Sequence, residues 1–191
     1  MPNAMEQMLE FNATFVENKE YARFLTGKLP DKNLSVLSCM DTRLTELLPA
    51  ALDFKYGDVK LITNAGALVS HPFGSVLRRL MVCVYTLGVR EIAVIGHNDC
   101  GMQGLDVGGL KSKMIERGIP ADRIEMIEGL GMNLDSWFKG FDDPTVSVRK
   151  TVKVIRNHPL MPDEIEVRGF LINPYSGAIK PIPEEGAEEA A

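Results

Sequence analysis

The chain has 191 residues, of which 45% are hydrophobic, and this size supports one sizeable core. Its net charge is -5 and its Lys and Arg residues form no dense run, which argues against nucleic acid or an anionic membrane as a partner. No apolar run reaches the roughly 18 residues of a membrane span, and three widely spaced cysteines make a poor disulfide framework. We therefore expect a cytoplasmic protein with a small-molecule partner, no nucleic acid and no membrane.

The two ends of the chain differ from its middle. Between Glu6 and Leu25, apolar residues recur mainly at spacings of three and four among charged ones, which predicts an amphipathic helical arm. The arm and the turn after it occupy residues 1–33, and its apolar face covers either its own domain or a neighbouring subunit. Residues 183–191 are small and acidic, which predicts a disordered tail and leaves 1–182 as a single α/β domain.

The middle of the chain alternates strands with helices. Short apolar runs predict strands at 34–38, 60–63 and 91–95, and helical spacing of apolar residues predicts helices at 43–52 and 73–87. Further helices are predicted at 110–117, 121–138 and 145–157, followed by a strand at 166–172 and a hairpin return over 178–182. This alternation predicts an α/β fold with a mostly parallel β-sheet flanked by helices.

Two motifs follow the first and third of these strands. They are Cys39-Met40-Asp41-Thr42-Arg43 and Gly96-His97-Asn98-Asp99-Cys100. Because ligands bind at the carboxyl ends of parallel strands, both motifs are expected at one crevice. Thiolate and imidazole suit zinc, and a catalytic zinc has three such protein ligands, so Cys39, His97 and Cys100 are the predicted set. Zinc at this position would lower the pKa of a bound water and provide hydroxide near neutral pH.

Asp41 has two predicted roles, and Arg43 decides between them. The Asp41 carboxylate can accept a hydrogen bond from the zinc-bound water, or it can bind zinc as a conditional fourth ligand and close the site. A bidentate pair with Arg43 would hold the carboxylate away from the metal, while loss of the pair would release it. Lysine would not replace arginine here, because its ammonium group lacks the planar guanidinium that donates two parallel hydrogen bonds to one carboxylate.

The same residues carry a family resemblance. Cys39-x-Asp41-x-Arg43, followed by His97-x-x-Cys100 and with Asn64-Ala65-Gly66 between them, resembles the β-class carbonic anhydrases. The resemblance is strongest over residues 34–103. It implies a zinc enzyme with one Zn²⁺ per chain, which interconverts carbon dioxide and bicarbonate by zinc-bound hydroxide.

The resemblance also implies an architecture and a set of roles. The implied sheet has strand order 2-1-3-4 plus an edge strand, and the implied assembly is a homodimer or larger, in which the N-terminal arm grips the partner subunit. Matched to the family motif, Cys39, His97 and Cys100 are the zinc ligands, Asp41 is the carboxylate that orients hydroxide or caps the metal, and Arg43 is its partner.

The chain departs from the family pattern near the second motif. Plant-like members usually carry Gly-His-Ser-x-Cys-Gly-Gly, whereas this chain has Asn98, Asp99 and Met102 within that segment, and Gln7 is too distant to match their substrate-pocket glutamine. Relatives on this scaffold include hydrolases of carbonyl sulfide and carbon disulfide. Three functions therefore stay open: a carbonic anhydrase, a hydrolase of these two substrates with the same zinc chemistry, and a non-catalytic zinc-binding dimer with Asp41 as a permanent ligand.

Other candidate residues receive structural interpretations. Cys83 falls on or beside the apolar stripe of its helix and is predicted to be a small core residue. His71 could shuttle protons, but a solvated loop histidine is expected. His158 is expected near a helix C-terminus, where a positive charge is favourable. Asp99 could assist proton transfer or cap the turn after His97, and capping is the expected role. The glycine-rich segment 101–109 lacks a phosphate-binding pattern and predicts no nucleotide site.

Overall fold

The computed structural model describes residues 3–184, and a five-stranded sheet of order β2-β1-β3-β4-β5 forms its centre. The first four strands are parallel, and β5 pairs antiparallel with β4 at one edge. The predicted fold class and strand order are confirmed. Residues 185–191, most of the predicted tail, lie outside the described residues. The strands are β1 Leu34–Cys39, β2 Val59–Asn64, β3 Glu91–His97, β4 Glu166–Ile172 and β5 Ile179–Ile182.

Seven α-helices are described over residues 3–184, and none of them is long and apolar enough to cross a bilayer. Most lie close to the predicted ranges, and α3 ends at Gly88, whose left-handed backbone (φ 71°) suits glycine. The helices are α1 Ala4–Glu17, α2 Leu44–Ala51, α3 Ser75–Leu87, α4 Val107–Glu116, α5 Ala121–Gly129, α6 Leu134–Phe138 and α7 Pro144–Arg156.

Two predicted helices are divided. The prediction of one continuous helix over 121–138 is wrong, because Gly131 has φ +92° and the side chain of Asn133 starts a new helix by accepting the N–H of Ser136. The arm also changes direction: after α1, Lys19 has φ 55°, and a 3-10 helix follows over Glu20–Phe24. Left-handed backbone between the two pieces cannot continue an α-helix.

The sheet is buried on both faces at its centre. In β1, Val36 and Leu37 point to opposite faces, and Val94 and Ile95 do the same in β3. One face packs against α3 and α7, and the other packs against α2 through Leu44 and Leu48, among others. The carboxyl ends of β1 and β3, which carry the two motifs, are therefore held by packing from both sides.

Close packing of α7 on β4 predicts a stability effect at Gly169. A Cβ atom there would lie 2.8 Å from Val148 Cγ1 and 3.3 Å from Val152 Cγ2. We expect Gly169→Ala to lower the free energy of unfolding by about 1–3 kcal/mol through overpacking. Gly129→Ala is the control, because a Cβ atom there would have no neighbour within 4 Å among residues 3–184, and it should be neutral or stabilise by up to about 1 kcal/mol. Urea unfolding of both variants measures the difference, and equal midpoints would contradict the prediction.

Candidate metal centre

The three predicted ligands meet at the carboxyl edge of the sheet. Cys39 ends β1, His97 ends β3, and Cys100 lies in the turn that follows. Their ligand atoms lie within 4.8 Å of one another, with the sulfur atoms of Cys39 and Cys100 3.8 Å apart. All three side chains are buried. The cluster could hold a metal ion.

The His97 ring is oriented for a metal. Its Nδ1 lies 2.8 Å from the carbonyl oxygen of Asn98, which only accepts, so Nδ1 carries the proton and donates it. Nε2 is then a lone-pair acceptor, and it is buried with no hydrogen-bond partner among residues 3–184. A buried polar atom without a partner is costly, and metal-binding histidines commonly donate their other N–H to a carbonyl. Two thiols beside this nitrogen are the donors that zinc prefers, so the residues present fit zinc.

The two thiols differ in acidity. Burial raises the pKa of Cys39. In the metal-free protein, however, protonation of the His97 ring would place a hydrogen-bond donor and a positive charge beside the thiolate, and this, together with the backbone N–H of Gly66, 3.3 Å from the sulfur, lowers the pKa to about 7. Burial raises the pKa of Cys100 to about 11, and the nearby Cys39 thiolate adds to the effect. The short segment Asn64-Ala65-Gly66 thus brings its backbone against the Cys39 sulfur. Gly66 requires this residue type, because it has φ +80° and a Cβ would meet Phe141 at 3.0 Å.

These pKa values predict selective alkylation of the metal-free protein. Cys39 should react with iodoacetamide with a midpoint near pH 7, because its thiolate is the nucleophile. Cys100 should react at least about tenfold more slowly at neutral pH, since lower thiolate content outweighs its greater nucleophilicity. Peptide mass mapping across a pH series measures both rates, and bound zinc should protect both residues. Equal rates in the metal-free protein would contradict this assignment.

Asp41 and Arg43 form the predicted bidentate pair. Arg43 donates from Nε to Asp41 Oδ1 at 3.0 Å and from Nη2 to Oδ2 at 2.8 Å, and its backbone N–H also donates to Oδ1 at 2.9 Å. Hydrogen bonds from Arg43 lower the pKa of Asp41 to about 2, so the carboxylate is ionised at neutral pH. Its Oδ2 lies 3.8 Å from His97 Nε2. The carboxylate therefore borders the ligand cluster while remaining paired.

The predicted capping role of Asp99 is wrong. Its carboxylate instead accepts from Arg43 Nη1 at 2.7 Å and from the hydroxyl of Tyr175 at 2.5 Å. Sequence reasoning missed Tyr175, which lies 132 residues from Arg43 and belongs to no motif. The available signal was its position in the turn after β4, whose carboxyl end shares an edge with those of β1 and β3.

The remaining candidates lie outside the cluster. Cys83 is buried in α3 within the core, and His71 is exposed in a loop, both as predicted. His158 follows α7 as predicted, but it is buried and both ring nitrogens are engaged: Nδ1 accepts the N–H of Leu160 and Nε2 donates to the carbonyl of Pro72. The side chain is therefore held by hydrogen bonds to two backbone groups in addition to its position at the helix end.

The fold and the cluster define a class: an α/β protein with a candidate metal centre at the carboxyl edge of a parallel sheet. A family model described as carbonic anhydrase matches residues 34–179. A Bacillus subtilis (strain 168) protein named "Putative carbonic anhydrase YtiB" is 49% identical over 175 residues, which cover 92% of this chain and 94% of that one. The chain belongs to the β-carbonic anhydrase family, as the motif resemblance predicted.

Two further comparisons describe the range of this family. The crystal structure of β-carbonic anhydrase isoform I from Trichomonas vaginalis superposes with a TM-score of 0.86 at 30% identity, and the match covers 96% of this chain and 99% of that one. A carbon disulfide hydrolase of Acidithiobacillus thiooxidans is 27% identical over 186 residues, which cover 93% of this chain and 90% of that one. The scaffold is therefore shared by proteins named for two substrates.

Proposed function

We propose that the protein is a zinc-dependent carbonic anhydrase, a lyase that hydrates carbon dioxide reversibly to bicarbonate, with one zinc held by Cys39, His97 and Cys100. The observation that carries the proposal is the buried Nε2 of His97, which lies beside two thiols and has no hydrogen-bond partner in the described part of the chain. Membership of the β-carbonic anhydrase family supports the substrate. Zinc, when bound, supplies the positive charge that makes water a nucleophile near neutral pH.

The chain's own residues orient the reactants. The Asp41 carboxylate is ionised and accepts a hydrogen bond from the attacking water, which fixes the direction of its lone pair. Arg43 holds the same carboxylate by two side-chain hydrogen bonds and keeps it from becoming a fourth metal ligand. The partly buried side chains of Met102 and Phe141 pack against the apolar core that includes Cys39 and Cys100, and there they would offer apolar surface to carbon dioxide, which carries no charge.

The second candidate is a hydrolase of carbon disulfide or carbonyl sulfide with the same residues in the same roles. It is favoured by the carbon disulfide hydrolase relative and by the departures at Asn98 and Met102 from the plant-like motif. Stopped-flow carbon dioxide hydration and hydrogen sulfide release from both sulfur substrates separate the candidates. We expect carbon dioxide to be the faster substrate. Faster sulfide release would assign the second function, and a zinc protein inactive on all three would leave the non-catalytic role.

We propose a homodimer in the cytoplasm as the working form. Helix α1 has no buried residue. The 3-10 helix that follows it contacts the same subunit through Phe24, whose ring centroid lies 4.5 Å from that of Tyr56. The sheet face carries an apolar groove of about 390 Å³ that the arm of a second subunit would cover. The exposed apolar residues of the arm include Met5, Met8, Leu9, Phe11 and Val16, and those lining the groove include Leu34, Phe54, Ala93, Ile95, Phe170 and Ile179.

A further inference from the structure

The Arg43 guanidinium is held from two sides by three separate parts of the chain. Its Nε and Nη2 donate to Asp41, while Nη2 also donates to the Asp99 carbonyl at 2.7 Å. Nη1 donates to the Asp99 carboxylate at 2.7 Å and to the Tyr175 hydroxyl at 2.8 Å. An arginine has five side-chain N–H donors, and these contacts occupy all of them. The observed orientation of Arg43 therefore satisfies every donor.

The two anchoring residues are themselves fixed. The Tyr175 hydroxyl donates to Asp99, and its ring lies 5.1 Å from the Arg43 guanidinium carbon. The side chain of Asn173 accepts the N–H groups of Tyr175 and Ser176, which sets the turn that presents the tyrosine. Asp99 has φ 54°, a left-handed conformation that aspartate and asparagine tolerate better than most residues. The contacts thus join the ends of β1, β3 and β4.

These anchors matter because Asp41 lies close to the metal position. An exposed ion pair contributes little when both side chains are free to move, and the Arg43 side chain is 30% exposed. The Asp41 Oδ2 atom is 3.8 Å from His97 Nε2, so a small rotation would bring it to an ion held there. Whether Asp41 stays paired then depends on how firmly Arg43 is held.

We propose that Asp99 and Tyr175 are positioning residues that fix Arg43 and thereby keep Asp41 off the metal, which leaves the fourth coordination position open. This inference rests on the proposed function, because it assumes zinc at Cys39, His97 and Cys100. Neither residue belongs to the ligand cluster. Their effect is exerted through the Arg43–Asp41 pair.

Two variants test the clamp formed by Asp99 and Tyr175. Tyr175→Phe removes one hydroxyl without a charge change, and Asp99→Ser removes the carboxylate. Thiocyanate affinity of the cobalt-substituted protein, followed by visible absorption, reports the open position, and the rate of zinc loss to a chelator reports an added ligand. In both variants we expect thiocyanate to bind about tenfold more weakly and zinc to leave about tenfold more slowly, since about one charged hydrogen bond is lost.

The controls separate positioning from general damage. Tyr85→Phe removes the hydroxyl of an exposed tyrosine that donates to Leu160, away from the cluster, and should match wild type in both readouts. Asp99→Asn keeps the acceptor oxygen and should lie closer to wild type than Asp99→Ser. The double variant should be less than additive, because both changes open the same clamp.

Unchanged readouts, or thiocyanate and zinc both held more weakly, would overturn the inference. A wild type that binds zinc and thiocyanate but hydrates no carbon dioxide would refute the proposed function alone.

Discussion

Replacing Cys39 by serine is expected to lower the zinc affinity at least about a hundredfold and to reduce carbon dioxide hydration to background. Loss of a partner that only orients a ligand already costs about 10–100-fold in affinity, and loss of the ligand itself should cost more. The serine hydroxyl does not ionise near neutral pH, whereas the Cys39 thiol has a pKa of about 7 in the metal-free protein. Zinc content by mass spectrometry and stopped-flow hydration measure the two losses.

Cys83→Ser is the matched control for this variant. Cys83 is as buried as Cys39, at 6% exposure, but it packs in α3 within the core and outside the ligand cluster. The control should lose stability and retain zinc and activity. If Cys39→Ser folds, keeps a full zinc complement and remains active, Cys39 is not a ligand and the assignment of the centre fails.

Replacing Arg43 by alanine is expected to lower carbon dioxide hydration by about a hundredfold while zinc stays bound. The variant loses two side-chain hydrogen bonds to Asp41, each of the charge-assisted kind that is about twice as strong as a neutral one. The pKa of Asp41 should rise toward its ordinary value, yet the carboxylate stays ionised at neutral pH and becomes free to bind zinc. Hydration assays and zinc analysis on the same samples measure the loss of activity and the retention of zinc.

Two further substitutions define the Arg43 effect. Arg43→Lys keeps the charge but loses the planar guanidinium, and it should lose nearly as much activity as Arg43→Ala. Arg117→Ala removes an exposed guanidinium just after α4, outside the ligand cluster, and it should leave hydration unchanged. Full activity of Arg43→Ala at high pH would refute the role of the pair in keeping the site open.

The parts of the protein that follow from local pattern were predictable. Strands β1 and β3 are continuous apolar runs, and the alternation with helices leads to a parallel sheet, so Cys39 and His97 were expected at one edge. Cys100 follows from its short spacing to His97. The order of the strands came from the family resemblance, because spacing alone does not order strands.

The parts that depend on tertiary contacts were not predictable. The capping role predicted for Asp99 rests on its neighbours in sequence, but its carboxylate accepts hydrogen bonds from Arg43, 56 residues away, and from Tyr175. The prediction for His158 rests on its place at a helix end, but its ring is held by the carbonyl of Pro72 in a distant loop. The break before α6 depends on the left-handed backbone of Gly131, which is visible in the sequence as a glycine but whose conformation the spacing of apolar residues does not report.

Zinc K-edge X-ray absorption on the zinc-loaded full chain tests the central claim most directly, because it reports the atoms bound to the metal. Two sulfur ligands at about 2.3 Å and a histidine nitrogen at about 2.0 Å are expected, with one zinc per chain and a light atom in the fourth position. A correctly folded protein that takes up no zinc, or a zinc shell without two sulfur atoms, would contradict the assignment of Cys39, His97 and Cys100.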